Sequence, residues 1–160
     1  MSEAFSASIK PQVAALAEGL KNNMHLGMQL TAMRGGYAEI TLPLKPEHVN
    51  EERVMDTGVM MIVLDSCMGL AARSLVDAVT SGATVEMKTS FYQPICQAGQ
   101  SVKAKAKVVF KDEMLYHCEA DLWLGTEIIA KAVGTFKVFL REELINRLKA
   151  KEFAYLKPES

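Results

Sequence analysis

The segment GVMMIVLDSCMGLAARSLV, from Gly58 to Val76, is apolar on almost every face of the helix that it would form, yet it carries one carboxylate, Asp65. A carboxylate in such a helix is costly unless it is paired, hydrogen-bonded or protonated, so it needs a compensating reason. Function is one such reason, and a structural hydrogen bond to a nearby hydroxyl or loop amide is another. We do not expect a membrane span, because the apolar run before Asp65 is far shorter than the ~20 residues that a bilayer requires.

The composition is that of one globular domain. The chain has 160 residues, of which 49% are hydrophobic, and a formal net charge of −1 at pH 7, so it can bury a sizeable core. Its basic residues are scattered, so nucleic acid is not an expected partner. The first residues lack the features of a signal peptide, and we expect a cytoplasmic protein. Cys67, Cys96 and Cys118 lack metal-ligand spacing and are expected to be reduced and buried. We expect neither a metal nor a cofactor.

Sequence periodicity predicts a core flanked by two short helices. Apolar residues at helical spacing predict an N-terminal helix over 8–23 and a C-terminal helix over 141–153, on either side of a core over 26–140. Within the core, Gly35 and Gly36 join two extended runs as a tight hairpin turn. The whole chain, residues 1–160, is expected to form a single domain.

Four more strands are predicted after the apolar helix, because apolar and polar residues alternate along each of four runs. In the first of them, Val85, Met87, Thr89 and Phe91 share one face. Short turns, including one at Asp112–Glu113, allow consecutive strands to pair antiparallel. The segment after the helix, VDAVTSGA, is interpreted as its end.

This order of elements limits the architecture. A helix that is apolar on nearly every face, together with about six antiparallel strands, suggests a curved sheet wrapped around the helix, since only then can its whole circumference leave water. The expected fold class is therefore α+β, with the arrangement known as the hotdog fold.

Around the helix, the sequence resembles the hotdog thioesterases of the phenylacetate-degradation, or PaaI-like, group. That group has an Asn, then His-Gly-Gly at a helix start, then an Asp seven residues after the second Gly; this chain has HVNEERVMDTGVMMIVLDSCMG. Asn50, Gly58 and Asp65 match the pattern, whereas Asp56 and Thr57 replace the His-Gly pair. The later segment TVEMKTSFYQPICQAGQ is similar to the group's strand that ends in an aromatic residue, a Pro and a Gly. The resemblance covers roughly residues 27–140.

The resemblance implies an acyl-CoA thioesterase in which Asp65 is the nucleophile or activates water. Gly58 lies near the helix start, where free N–H groups and the helix dipole can stabilise a negative carbonyl oxygen; alternatively, it only permits close packing. Seven residues at ~1.5 Å rise separate Gly58 from Asp65 by about 10 Å, so one chain cannot bring both to one carbonyl. We therefore expect a homodimer, or a dimer of dimers, in which Gly58 meets the partner's Asp65.

Three other residues near the motif are further candidates. Asn50 is a candidate for orienting water or the carbonyl, as its family position suggests, or it forms a turn. Thr84 aligns with a family position that carries a hydroxyl near the catalytic Asp, or it is an ordinary strand Thr. His48 is either a general base or a solvated loop histidine. We assign Asp65, Gly58 and Asn50 to catalysis, and Thr57, Thr84 and His48 to substrate binding.

The replaced His-Gly pair leaves other functions open. Asp56 fits a helix N-cap, but its charge would oppose a nearby oxyanion. A non-catalytic acyl-CoA or acyl-carrier binding protein is one alternative. A hotdog hydratase or dehydratase is another, with His48 as the histidine that this chemistry needs. The segment MMIVL and Phe91 are expected to line the acyl pocket.

Overall fold

The computed structural model describes residues 25–76, 80–92 and 96–140, together with 142, 145–147 and 149. The predicted N-terminal helix over 8–23 lies outside these residues. Only the last five described residues fall within the predicted C-terminal helix over 141–153, and they are helical. Both terminal helices and the single-domain assignment stay predictions. Within the described residues, no helix is long and apolar enough to cross a membrane.

The described residues form a six-stranded antiparallel sheet. Its strands are β1 (Gln29–Arg34), β2 (Tyr37–Pro43), β3 (Thr80–Phe91), β4 (Ser101–Asp112), β5 (Leu115–Leu124) and β6 (Glu127–Leu140). Their order across the sheet is β1-β2-β4-β5-β6-β3, and all neighbouring strands are antiparallel. The long helix α1 (Thr57–Arg73) precedes β3 and packs against the sheet. The predicted α+β hotdog arrangement is confirmed.

Tight turns join β1 to β2 and β4 to β5. Gly35 and Gly36 have φ angles of 50° and 86° and connect β1 to β2, a conformation that glycine adopts without steric cost. The turn between β4 and β5 is formed by Glu113 and Met114, one residue later than predicted. The predicted hairpin positions are therefore correct to within one residue.

Helix α1 ends earlier than the sequence suggested. Its last residue is Arg73, and the hydroxyl of Ser74 donates a hydrogen bond to Ala71 O at 2.7 Å. The same hydroxyl accepts a hydrogen bond from Gly36 N–H at 2.7 Å. β3 begins at Thr80, inside the segment that we had interpreted as the end of the helix. A contact with the β1–β2 turn thus accompanies the end of the helix.

A β-bulge interrupts the predicted alternation of β3. Thr84 pairs with Phe136, and Glu86 pairs with the neighbouring Thr135, so Val85 is an extra residue with no partner of its own. Val85 is 59% exposed. The prediction that Val85 shares the buried face of β3 is therefore wrong, and Thr84 takes the face that is turned towards α1.

The sheet covers only one side of α1 in a single chain. Met60, Leu64 and Met68 are fully buried and form the centre of the core. On the other side, Met61 is 40% exposed and Ile62 is 37% exposed. The expectation that the sheet alone encloses the whole circumference of the helix is wrong, because an apolar strip of α1 is left uncovered within a single chain.

The three cysteines have the expected structural role. Cys67, Cys96 and Cys118 are buried and form no disulfide. Burial raises the pKa of the Cys67 and Cys118 thiols to about 12. Thiols with such pKa values carry almost no thiolate near neutral pH and are poor nucleophiles.

Candidate active site

Helix α1 begins at Thr57 because Asp56 caps it. Oδ1 of Asp56 accepts a hydrogen bond from Val59 N–H at 2.9 Å, which is the usual geometry of an N-cap. The N–H groups of Thr57 and Gly58, in the same first turn, lie beyond the reach of the helix's own carbonyl groups. Both residues are exposed. This positive end of the helix dipole can therefore accept a negatively charged oxygen.

Asn50 forms a turn in the loop that leads to α1. Its Oδ1 accepts a hydrogen bond from Val54 N–H at 2.8 Å, and its own N–H donates to Val54 O at 3.0 Å. Asn50 is exposed. The side-chain oxygen thus shapes the loop just before the helix start, as the turn-forming alternative described.

His48 is buried beneath the same loop, with 1% of its surface exposed. Its Nδ1 accepts a hydrogen bond from Lys45 N–H at 3.2 Å, and its main-chain oxygen accepts one from Asp56 N–H at 3.0 Å. Burial lowers the pKa of the imidazole. The interpretation of His48 as a solvated loop histidine is wrong, because the loop folds over it and ties it to the N-cap residue.

Asp65 and Thr84 are brought together by the fold. The Thr84 hydroxyl donates a hydrogen bond to Asp65 Oδ1 at 2.6 Å, a length typical of a hydroxyl that donates to a charged carboxylate. Asp65 is half-buried and lines a cleft, so it is not enclosed in the apolar core as the helix pattern suggested. The hydroxyl partner that we considered for Asp65 is therefore present, on the neighbouring strand β3.

The cleft beside Asp65 has a volume of about 150 Å³. It lies between α1 and the strands β3 and β6, and its walls are formed by Asp65, Ser66, Gly69, Leu70, Arg73, Gly82, Thr84, Phe136 and Val138. Phe136 supplies an aromatic wall, and the two glycines have no side chains to fill the space. The segment Met60–Leu64 and Phe91, which we expected to line the acyl pocket, do not line this cleft.

The sequence analysis missed several residues of the cleft. Gly69 and Arg73 follow Asp65 after four and eight residues, and this spacing on one side of a helix was the available signal. Phe136 carried no local signal, because its place opposite Thr84 depends on the pairing of β3 with β6.

In the described part of the chain, no group of three or more His, Cys, Asp or Glu side chains is placed to hold a metal ion.

Within one chain, the predicted site residues form two separate groups. Thr57 and Gly58 lie at the start of α1, next to the loop that holds His48 and Asn50. Asp65 lies two helical turns farther along, about 10 Å away at 1.5 Å per residue. A carbonyl group cannot contact the helix start and Asp65 of the same chain at once.

Comparison with solved structures places the chain among hotdog proteins. A thioesterase family protein of Silicibacter pomeroyi matches with a TM-score of 0.71 and 23% identity, over 81% of this chain and 98% of that one. The PaaI protein of the Escherichia coli phenylacetic acid degradation operon matches with a TM-score of 0.68 and 18% identity, over 79% and 95%. A hypothetical thioesterase of Streptococcus pneumoniae, solved with coenzyme A, matches with a TM-score of 0.63 and 18% identity, over 69% and 87%.

Comparison of the sequence with family models and with curated proteins gave no match. The likeness therefore rests on the arrangement of α1 and the six strands. The chain has the hotdog fold, and its structural neighbours are PaaI and other thioesterase-family proteins.

Proposed function

We propose that the protein is an acyl-CoA thioesterase that uses the carboxylate of Asp65 and an oxyanion site at the start of α1. The hydrogen bond between Thr84 and Asp65 in the cleft carries this proposal. A carboxylate that lines a partly apolar cleft and accepts a hydrogen bond from a hydroxyl has a fixed direction, which a group that activates water or attacks a carbonyl requires.

The reaction would proceed by addition to the thioester carbonyl. Asp65 takes a proton from water as the water oxygen bonds to the carbonyl carbon, and the carbonyl oxygen becomes negative. The C–S bond then breaks, and the sulfur receives a proton, which leaves a carboxylic acid and the CoA thiol. A direct attack by Asp65 would form an anhydride that water hydrolyses to the same products.

The oxyanion site is assigned to the N–H groups of Thr57 and Gly58. Pre-oriented N–H groups at a helix start stabilise a developing negative charge, and the loss of one such donor typically lowers kcat by 10²–10³-fold. Gly58 has no side chain to block the approach of a carbonyl group. For Asn50 and His48, which the sequence assigned to catalysis and to substrate binding, the hydrogen bonds support a positioning role, because both residues shape the loop that leads to Asp56.

We propose further that a homodimer, alone or paired with a second dimer, completes the site. Gly58 would meet the partner's Asp65 across a twofold axis. The free edge of β3 and the uncovered strip of α1 support this arrangement. β3 lies at the end of the sheet formed by the described residues, and Val85 on it and Met61 on α1 are strongly exposed. An unpaired sheet edge beside apolar side chains is a surface that proteins usually cover.

Coenzyme A is the proposed carrier of the acyl group. The coenzyme A bound to the Streptococcus pneumoniae neighbour supports this choice. The test is a turnover screen against CoA esters of graded chain length and aromatic character. Asp65→Asn, which is nearly isosteric, should keep the fold and lower kcat by roughly 10²–10⁴-fold, the usual contribution of a general base. Retained turnover in a folded Asp65→Asn protein would contradict the mechanism.

Hybrid dimers test the shared site directly. Gly58→Pro removes one N–H group that has no partner within the helix, and Gly58→Ala is the matched control, because it adds the same Cβ atom next to Asp56 but keeps the N–H. A dimer of one Asp65→Asn chain and one Gly58→Pro chain retains one intact site. It should show about half the parent rate, although each variant alone is impaired. An inactive hybrid, or an active monomer in light scattering, would rule out the shared site.

A binding function without hydrolysis is the second candidate, and the position of Asp56 favours it. A Cβ atom on Gly58 would lie 3.0 Å from Asp56 Oδ1, so a negative charge is close to the proposed oxyanion site. Acyl-CoA that binds without being cleaved by either the parent or Asp56→Asn would establish this alternative. The hydratase alternative lacks comparable support, because its histidine, His48, is buried.

A further inference from the structure

The cleft that begins at Asp65 extends along α1 to a basic residue. Asp65, Gly69 and Arg73 occur at four-residue intervals and all three line the cleft, as expected for one side of a helix. Gly69 has no side chain, so the middle of this row is bordered by the Phe136 ring, which would lie 3.6 Å from a Cβ atom on Gly69. The two charged residues therefore line one cleft and are eight residues apart along the helix.

The side chain of Arg73 packs against β3, the strand that also carries Thr84. A Cβ atom on Gly82 would be 3.5 Å from Arg73 Cδ and 3.9 Å from Cγ, so the aliphatic part of Arg73 rests on Gly82. Arg73 also interacts with another part of the protein. A guanidinium group has five N–H donors in a planar fork, so such an interaction is compatible with binding a carboxylate.

The size of the cleft limits what fits between these residues. A cavity of about 150 Å³ can hold a molecule of the size of benzene, which matches the volume found here. Eight residues of helix separate the Cα atoms of Asp65 and Arg73 by about 12 Å, and long side chains on a helix generally lean back towards its start. An acyl chain of about five or six carbons would therefore extend from the carboxylate to the guanidinium group.

We infer that the cleft selects a short acyl group with a carboxylate at its far end, which Arg73 binds while the thioester carbonyl lies at Asp65. This inference rests on the proposed thioesterase function and adds the substrate class. The charges favour one orientation only, because a reversed acyl group would bring its carboxylate against Asp65. Phe136 and Leu70 contact the methylene groups between the two ends.

A matched pair of substrates tests the inference. Glutaryl-CoA and pentanoyl-CoA have equally long acyl chains, and only glutaryl-CoA ends in a carboxylate. The parent protein should prefer glutaryl-CoA by at least about tenfold in kcat/KM, because a charged, hydrogen-bonded carboxylate replaces a methyl group. Arg73→Gln should remove this preference. Arg73→Lys should keep part of it, and Arg34→Gln, outside the cleft, should leave it unchanged.

Truncated thioesters distinguish an acyl carboxylate from the phosphates of CoA. N-acetylcysteamine esters lack these phosphates, so the preference for the glutaryl ester should persist with them and still depend on Arg73. If Arg73→Gln weakens both CoA esters equally and leaves both truncated esters unaffected, Arg73 binds a phosphate and the inference is wrong. If Arg73→Gln does not fold, the inference is tested on the parent protein, and equal rates for the glutaryl and pentanoyl esters would refute it.

Equilibrium binding separates this inference from the proposed catalysis. Asp65→Asn should bind glutaryl-CoA at least about tenfold more tightly than pentanoyl-CoA, whether or not the parent hydrolyses either. Tight, selective binding without hydrolysis would support the inference and refute the thioesterase. Hydrolysis with equal or reversed preference would refute the inference and leave the thioesterase standing. If neither ester is bound or cleaved, the inference is wrong, and the turnover screen over the other CoA esters decides the thioesterase proposal.

Discussion

Replacing Gly69 by alanine should make the protein more stable and less active. Gly69 lies in the interior of α1, where glycine is about 1 kcal/mol less favourable than alanine. A Cβ atom there would lie 3.6 Å from Phe136 Cε1 and 3.7 Å from Cδ1, which is ordinary van der Waals contact. The methyl group therefore adds helix stability without strain, and it also enters the cleft beside Asp65.

The expected gain in the free energy of unfolding is about 1 kcal/mol, which corresponds to an increase in Tm of roughly 2–4 °C for a chain of this size. Thermal and denaturant unfolding at one fixed protein concentration measure this gain, because association would otherwise shift the result. The same variant should lower kcat/KM for a five-carbon acyl-CoA by roughly tenfold, since the methyl group takes space that the acyl chain needs.

Gly134→Ala is the matched control, because Gly134 also borders Phe136. There, a Cβ atom would lie 3.0 Å from the main-chain oxygen of Glu86 and 3.1 Å from Phe136 Cε2. The strands would have to separate, so we expect a loss of about 1–3 kcal/mol. A destabilised Gly69→Ala protein would refute the packing described for α1. A stabilised one with unchanged kcat/KM would show that the acyl group does not occupy this cleft.

Two further predictions concern the loop before α1. Asp56→Ala should lower the free energy of unfolding by about 1 kcal/mol, because it removes the helix cap, while Asp56→Asn should leave it nearly unchanged. If the charge of Asp56 opposes the oxyanion, Asp56→Asn should also raise kcat a few-fold, which corresponds to about 1 kcal/mol in the activation free energy. An unchanged or lower kcat would show that the carboxylate does not oppose the reaction. Because burial lowers the pKa of His48 from about 6.5, the unfolded chain takes up the proton first, so stability should fall as the pH drops below about 6.5. Denaturant unfolding at pH 7.5 and 5.5 should show a smaller difference for His48→Gln than for the parent, and an equal difference would contradict this role.

The fold was largely predictable because its signals are local. The apolar helix, the glycine pair of the first hairpin and the alternation in the later strands each depend on neighbouring residues. The bulge at Val85 was not predictable, because an extra residue is defined only by the pairing of β3 with β6. The end of α1 was missed for a similar reason, since Ser74 bonds to Gly36, which is distant in sequence.

The candidate site was partly predictable for comparable reasons. Spacing along one helix placed Asp65 and Gly58, and the resemblance added Thr84, whose hydroxyl does reach Asp65. His48 lies in a polar segment that gives no sign of burial, and only the folded loop encloses it. In the sequence, Arg73 can be explained as a basic residue that stabilises the last turn of a helix. Its place in the cleft depends on β3, which forms the opposite wall.

If the protein forms the proposed dimer, a newly synthesised subunit is exposed to water and to other chains until it meets its partner. Until then, the edge of β3 presents unpaired N–H and C=O groups next to exposed apolar side chains, including Val85 and Met61. Such edges recruit strands from any chain that approaches them. Substitutions that weaken subunit pairing would therefore reduce the yield of soluble protein in the cell before they reduce the specific activity of what remains.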